Sequence, residues 1–318
     1  MPPCPAQELL VNTHPPAVRP GALRVWWTAI RPRTLGMAVA PVALGTALAV
    51  ARGSALDGMV LLATLACALL IQIGTNLYND AVDFERGTDR PERRGPLRVT
   101  LAGWASAAEV KRGALLCLLV ALGLGAWLSA VGGVMILAIG LAALLAGWAY
   151  SGGPWPISHS PLGEIFVLLF FGVLAVLGSD WLQSRTVDVR DVIAGIAVGA
   201  PAAAVLLVNN FRDLDSDLRA GRRTLAAVLG LQHAWKGYAV LMLATPVMLL
   251  ALALAGLPGA LLALLTAPAL PELVRRFRAA ADGAAFNGVL VDSARTGTRA
   301  GVLAAVGISL LNCFPPLA

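Results

Sequence analysis

The chain is 318 residues long, 58% hydrophobic and only 13% charged, with a formal net charge of +6. Soluble domains carry about 25% charged residues, so this composition belongs in a bilayer rather than in water. It also excludes a disordered chain, the 33 glycines without a period exclude a collagen-like repeat, and four cysteines are too few for a disulfide scaffold. In a membrane chain the basic excess marks cytoplasmic loops, and no nucleic-acid partner is expected.

Residues 1–20 are Pro-rich and polar and lack the apolar core of a signal segment, so a disordered cytosolic tail is expected there, followed by one membrane domain over 21–318. A helix needs about 20 apolar residues to cross about 30 Å of hydrocarbon. Nine stretches qualify: 34–51, 58–79, 108–128, 132–150, 162–180, 191–210, 236–255, 258–274 and 299–316. The fold class is therefore all-α, a polytopic bundle of nine transmembrane helices. With the amino terminus inside, 21 of the 24 Lys and Arg fall on the cytoplasmic side, leaving only Arg52, Arg185 and Arg190 opposite. That asymmetry favours an odd number of spans. Asp180, Asp188 and Asp191 fall with those three arginines and are read as solvated loop charges. Cys4, Cys67, Cys117 and Cys313 have no metal-ligand spacing and read as small hydrophobes.

Acidic residues at membrane helix ends are costly and therefore informative. They gather at the cytoplasmic ends of the second and sixth spans, as Asn79, Asp80, Asp83, Glu85 and Asp89, and as Asn209, Asn210, Asp213, Asp215 and Asp217. Asn79 with Asp83, and Asp213 with Asp217, are four apart and share a helix face. Two such pairs on one membrane face suggest a hard-cation site. Mg²⁺ prefers carboxylate oxygens completed by water and substrate phosphate, and a diphosphate would complete this one. Arg86, Arg90, Arg93, Arg94 and Arg98 follow the first cluster, and Arg212, Arg219, Arg222 and Arg223 surround the second. Their planar forks suit phosphate oxygens, and each also serves as a topology charge.

Two single residues carry two readings each. Tyr150 either offers its ring or hydroxyl to a cation or anchors a helix end at the interface. Glu164 opens an apolar helix, as a functional carboxylate or as a favourable charge at a helix start. Of the three histidines, His159 alone follows Tyr150 in the same loop, and none has metal-ligand spacing.

At these residues the chain resembles the UbiA superfamily of intramembrane aromatic prenyltransferases, whose members have nine transmembrane helices and two Asp-rich motifs. Asn79 and Asp83 match the first motif, and Asp213 and Asp217 the second. Four residues past Asp83, where many members carry a third Asp, stands Gly87, with an acid displaced to Asp89. That displacement, with Arg94-Gly95-Pro96-Leu97-Arg98, is similar to the 1,4-dihydroxy-2-naphthoate polyprenyltransferases of menaquinone synthesis. Arg31-Pro32-Arg33-Thr34, Tyr150-Ser151-Gly152-Gly153-Pro154, Gly163-Glu164 and Gly221-Arg222-Arg223-Thr224 extend the likeness over most of the chain.

The resemblance implies a Mg²⁺-dependent alkylation at the inner face of the cytoplasmic membrane. Asn79, Asp80, Asp83, Asp89, Asp213 and Asp217 would hold the metal, and Arg31, Arg94, Arg98 and Arg223 the diphosphate. Tyr150 would stand by the allylic cation, with Glu164, Asn209 and Asn210 as acceptor-binding or structural residues. The partners implied are polyprenyl diphosphate, 1,4-dihydroxy-2-naphthoate and membrane lipid, and the products demethylmenaquinol, diphosphate and CO2. Acceptors such as 4-hydroxybenzoate or homogentisate remain alternatives. A cation-coupled transporter is a distant one, because transporter sites lie near the midplane on interrupted helices. The DxxDGxxAR string of CDP-alcohol phosphotransferases is absent.

Overall fold

The computed structural model describes residues 19–87, 95–152 and 155–313. Among them every regular element is helical. A short helix, α1 (Ala22–Ile30), precedes α2 (Pro32–Ala51), α3 (Gly58–Glu85), α4 (Ala107–Gly132) and α5 (Val134–Ser151). The next span is α6 (Gly163–Leu168), a π turn and α7 (Leu174–Ser184) in one continuous rod. Then come α8 (Val189–Arg212), α9 (Leu214–Arg219), α10 (Leu225–Leu254), α11 (Ala269–Ala279) and α12 (Gly283–Cys313).

Among the described residues six helical segments are long and apolar enough to cross a membrane, as in an integral membrane protein, and α5 is a shorter apolar helix. The expected eighth span, 258–274, is not a continuous α-helix. Residues Pro258–Thr266 form 3₁₀ turns, and amphipathic α11 follows with Arg275, Arg276 and Arg278. Pro258, Pro268 and Pro271 interrupt the α-helical ladder that the apolar length suggested. The last helix is longer than expected, beginning at Gly283 and carrying Asp292 and Arg295 in its first half and Arg299 at its middle.

Helix α8 lies at the centre, with 78% of its apolar stretch buried against 17% for α3 and α4. Its Ala-rich surface joins α2, α12 and the 258–266 turns in one core of small side chains. The α6–α7 rod meets α8 backbone to backbone. A Cβ on Gly195 would lie 2.5 Å from the Val173 Cα, and one on Gly199 would lie 2.6 Å from the Leu168 carbonyl oxygen. Small residues at membrane helix contacts permit this approach, and it sets α6 against the last turn of α8.

α1 was absent from the expected spans. Val25 and Ala29 pack inward while Leu23 and Trp27 stay exposed, the pattern of a helix lying along an interface. Arg31 closes it in the left-handed region at φ 55°. The Asn76 amide donates to the Ile30 carbonyl at 3.3 Å and the Gln72 amide to the Thr34 carbonyl at 3.0 Å, so α3 fixes this corner.

Asp180 and Asp191 are not solvated, whereas Asp188 stays partly exposed. Asp180 and Asp191 are 0% exposed, and Arg52 is enclosed by all three carboxylates, 2.9 Å from Asp188, 3.1 Å from Asp191 and in close contact with Asp180. An isolated charge at that depth is expensive. The acids are retained because one arginine at the end of α2 neutralises carboxylates from α7 and α8 together.

Candidate active site

The opposite end of the bundle carries the two acidic clusters. Asp83 lies in the last turn of α3 and Asp217 on α9, and one guanidinium joins them. Arg222 donates to Asp83 at 3.2 Å and to Asp217 at 3.4 Å. Arg98 donates to the other Asp83 oxygen at 2.7 Å and to the Asn79 carbonyl at 2.9 Å. The two helix tips thus face a common centre. All four charged side chains are largely buried, so the attraction acts in a medium where it is worth more than in water. Burial, and to a lesser degree the neighbouring Asp213 and Asp83, push the Asp217 carboxyl up to about 6 against the opposing pull of Arg222.

Asp213 enters this centre as half of a buried ion pair. It is the residue at which α8 breaks into α9, and Arg212 grips it with two donors at 2.9 and 2.6 Å. The same guanidinium reaches Asn209 at 2.7 Å and Asn287 on α12 at 2.6 Å. Asn210 turns the other way, donating to Glu164 on α6 at 2.9 Å. Tyr150, half-buried in the last turn of α5, feels the charges of Glu164, Asp83, Arg222 and Asp217 together and so borders both groups.

Two expected site residues make other contacts here. Asp80, expected among the metal ligands, is held by the loop after it. Its carboxylate accepts the Val99 N–H at 3.2 Å, the Thr100 N–H at 3.4 Å and the Thr100 hydroxyl, because Asp80, three residues before Asp83, looks onto the same 98–105 loop whose Arg98 holds Asp83. Arg223 is exposed and its backbone N–H donates to the His159 carbonyl at 3.0 Å, while its neighbour Arg222 stands between the acids. Arg31 lies at the α1–α2 corner, half-buried. Arg94 and Asp89 fall outside the described residues. His159 flanks the site without joining it: burial, then Arg222 and Arg86, lower its pKa to about 4, leaving it neutral.

The donor set fits a hard divalent cation in part. Asn79 Oδ1 is buried without a hydrogen-bond partner, and Asn79, Asp83 and Asp217 offer only oxygen, the donor that Mg²⁺ selects. Among the described residues no three His, Cys, Asp or Glu converge closely enough to hold a metal alone. Oxygens of a bound ligand have to complete the shell.

Comparison with known proteins gives a consistent picture. Residues 38–288 match the UbiA prenyltransferase family. The 1,4-dihydroxy-2-naphthoate octaprenyltransferase of Escherichia coli is 35% identical over 298 residues, covering 90% of this chain and 96% of that protein. The apo structure of a UbiA homologue from Aeropyrum pernix superposes with a TM-score of 0.66 at 18% identity, over 90% of this chain and 99% of that one. A UbiA homologue from Archaeoglobus fulgidus, solved with GPP and Mg²⁺ bound, superposes with a TM-score of 0.58 at 15% identity, over 90% and 99% respectively.

Proposed function

The chain belongs to the UbiA prenyltransferase family, and from that premise we propose that it moves a polyprenyl group from polyprenyl diphosphate to 1,4-dihydroxy-2-naphthoate, releasing diphosphate and CO2 and giving demethylmenaquinol. The observation that carries this reading is the bridge of Asp83 and Asp217 by Arg222. Two acids from separate helix ends share a single cationic partner, as a site for a cation and a polyanion requires. The naphthoate acceptor is supported by the name of the Escherichia coli relative.

When bound by Asn79, Asp83 and Asp217, Mg²⁺ supplies the charge that makes diphosphate a good leaving group. The residues of the chain do the rest. Arg98 and Arg222 exchange part of their carboxylate contacts for diphosphate oxygens, which carry more charge as the allylic C–O bond breaks. Arg31, at its fixed corner, and Arg94 add to that grip. Tyr150 turns its ring toward the allylic cation, and apolar helix walls exclude the water that would quench it. Residues 21–318 act as one domain, and the basic excess at this end sets it on the cytoplasmic side of the cytoplasmic membrane.

Purified protein in detergent, given one polyprenyl diphosphate and Mg²⁺, tests the reading. Prenylation of 1,4-dihydroxy-2-naphthoate with release of CO2 is expected, abolished by a chelator. Turnover of 4-hydroxybenzoate or homogentisate in its place would overturn the acceptor, and turnover unaffected by chelation would overturn the metal.

A further inference from the structure

Glu164 is 3% exposed, at membrane depth in the first turn of α6. One of its oxygens accepts from the Asn210 amide at 2.9 Å, and the other, Oε2, is buried without a hydrogen-bond partner among the described residues. Leaving a carboxylate oxygen buried and unsatisfied costs more than most single interactions return, so the pairing asks for a donor from outside the chain. The surroundings narrow what that donor is. Among the described residues no cation pairs with Glu164, whereas Asp83 and Asp217 are both held by arginine. A diphosphate or a ring carboxylate would be repelled there. A neutral O–H is the complement. Asn210 follows Asn209, which shares the Arg212 guanidinium with Asp213, so Glu164 is tied to the edge of the acidic cluster without an arginine of its own among the described residues.

We propose that Glu164, oriented by Asn210, binds a ring hydroxyl of the aromatic acceptor and takes its proton during the transfer. The inference rests on the acceptor class proposed above. The ring carbon bearing the carboxylate bonds the allylic carbon, and the C–O bond to diphosphate breaks with its electron pair leaving on the diphosphate. As it does so the hydroxyl proton passes to Glu164 Oε2 and the hydroxyl oxygen becomes a ring ketone. Loss of CO2 then returns a C–C electron pair to the ring, and Glu164 gives the proton back to that oxygen. The step needs no oxidant and consumes no net proton. Glu164 also becomes the element that selects phenolic rings over other electron-rich acceptors, because an acceptor without the hydroxyl leaves Oε2 unsatisfied.

Glu164→Gln tests this with little risk to the fold, since the amide oxygen still accepts from Asn210. Expected is a fall in kcat of about 10²-fold or more, the usual scale of a lost proton acceptor, with unchanged affinity for geranyl diphosphate and Mg²⁺. Wild-type protein should discriminate against one of the two monomethyl ethers of the acceptor, and the variant should lose that discrimination. A kcat within threefold of wild type, a parallel loss of diphosphate affinity, or discrimination that persists in the variant would overturn the proposal. Failure of wild-type protein to use dihydroxynaphthoate would instead overturn the acceptor reading, and the same comparison would then be made on the phenolic acceptor it does use.

Discussion

Removing Arg222 tests whether this arginine stands where a divalent cation belongs. Its hydrogen bonds of 3.2 and 3.4 Å, with the width of one guanidinium between them, hold an oxygen of Asp83 and one of Asp217 within about 9 Å of each other. At that separation and an effective dielectric of about 20, two like charges repel by about 1.8 kcal/mol, roughly twentyfold in an equilibrium constant. Arg222→Ala removes the cation that stands between the two acids, and leaves Asp83 with Arg98 on its far oxygen. In metal-free buffer the variant should lose about that much stability, and Mg²⁺ without any diphosphate should restore it, binding the variant roughly twentyfold more tightly than wild type. Prenyl transfer should still fall, because the diphosphate has lost a donor. The assay is thermal unfolding in detergent across a MgCl2 titration, with calorimetry for the affinity. Adding Asp83→Asn should erase the gain, as coupled sites require. A folded Arg222→Ala variant with the same Mg²⁺ response as wild type would refute the reasoning.

The remaining expectations concern the frame around the site. Asp80→Ala should cost about 2–3 kcal/mol of stability, because the Val99 and Thr100 donors lose a charged acceptor; denaturant unfolding equal to wild type would return Asp80 to the ligand set. Gly195→Ala drives a Cβ to 2.5 Å from the Val173 backbone, and overpacking of that kind costs about 1–3 kcal/mol. Its melting temperature should fall, and an unchanged one would mean the α6–α7 rod shifts freely. At the opposite end, hydrogen bonding from Arg190 lowers the Asp188 carboxyl from 3.8 to about 2. A depressed carboxyl stabilises above its unfolded pKa and loses that contribution as pH falls through its folded one. Stability should therefore drop between about pH 4 and about pH 2 in wild type, and an equally steep drop in Asp188→Asn would contradict the assignment.

The parts of the fold legible in the sequence are those where a local pattern meets a single physical demand. Runs of about 20 apolar residues have only one use in a bilayer, so α2 to α5, the α6–α7 rod, α8 and α10 fall close to expectation. Apolar length fails at 258–274, where Pro268 and Pro271 matter more than hydropathy, and at α1, whose nine residues are too few to register as a span. Asn79 with Asp83 was legible because the helical repeat alone puts them on one face. Arg222 and Arg223 were not separable, because their directions depend on the turn at Gly221, φ 74°, rather than on either residue. Glu164 drew notice as an acid in an apolar helix, yet its partner Asn210 lies 46 positions away. Arg52 and Asp180 are further apart still, at 128 positions, and neighbouring sequence showed only charges near a loop.

The two ends of the bundle hold similar charges and use them differently. Around Arg52 the acids come from α7, α8 and the turn between them, and their contacts tie those helices to the end of α2. Among the buried side-chain atoms without a partner, only Asp191 Oδ1 belongs to that cluster. Asn79 Oδ1, Glu164 Oε2, Arg222 Nε and Thr224 Oγ1 lie on the helix ends and loops of the other side. Native interiors leave few such atoms, and each requires a cause. Asn79 Oδ1 and Glu164 Oε2 can only accept, while Arg222 Nε and Thr224 Oγ1 carry hydrogens to donate. Charges are paired at both ends, so what sets the second apart is its unpartnered polar atoms, which are the groups the proposed chemistry would use.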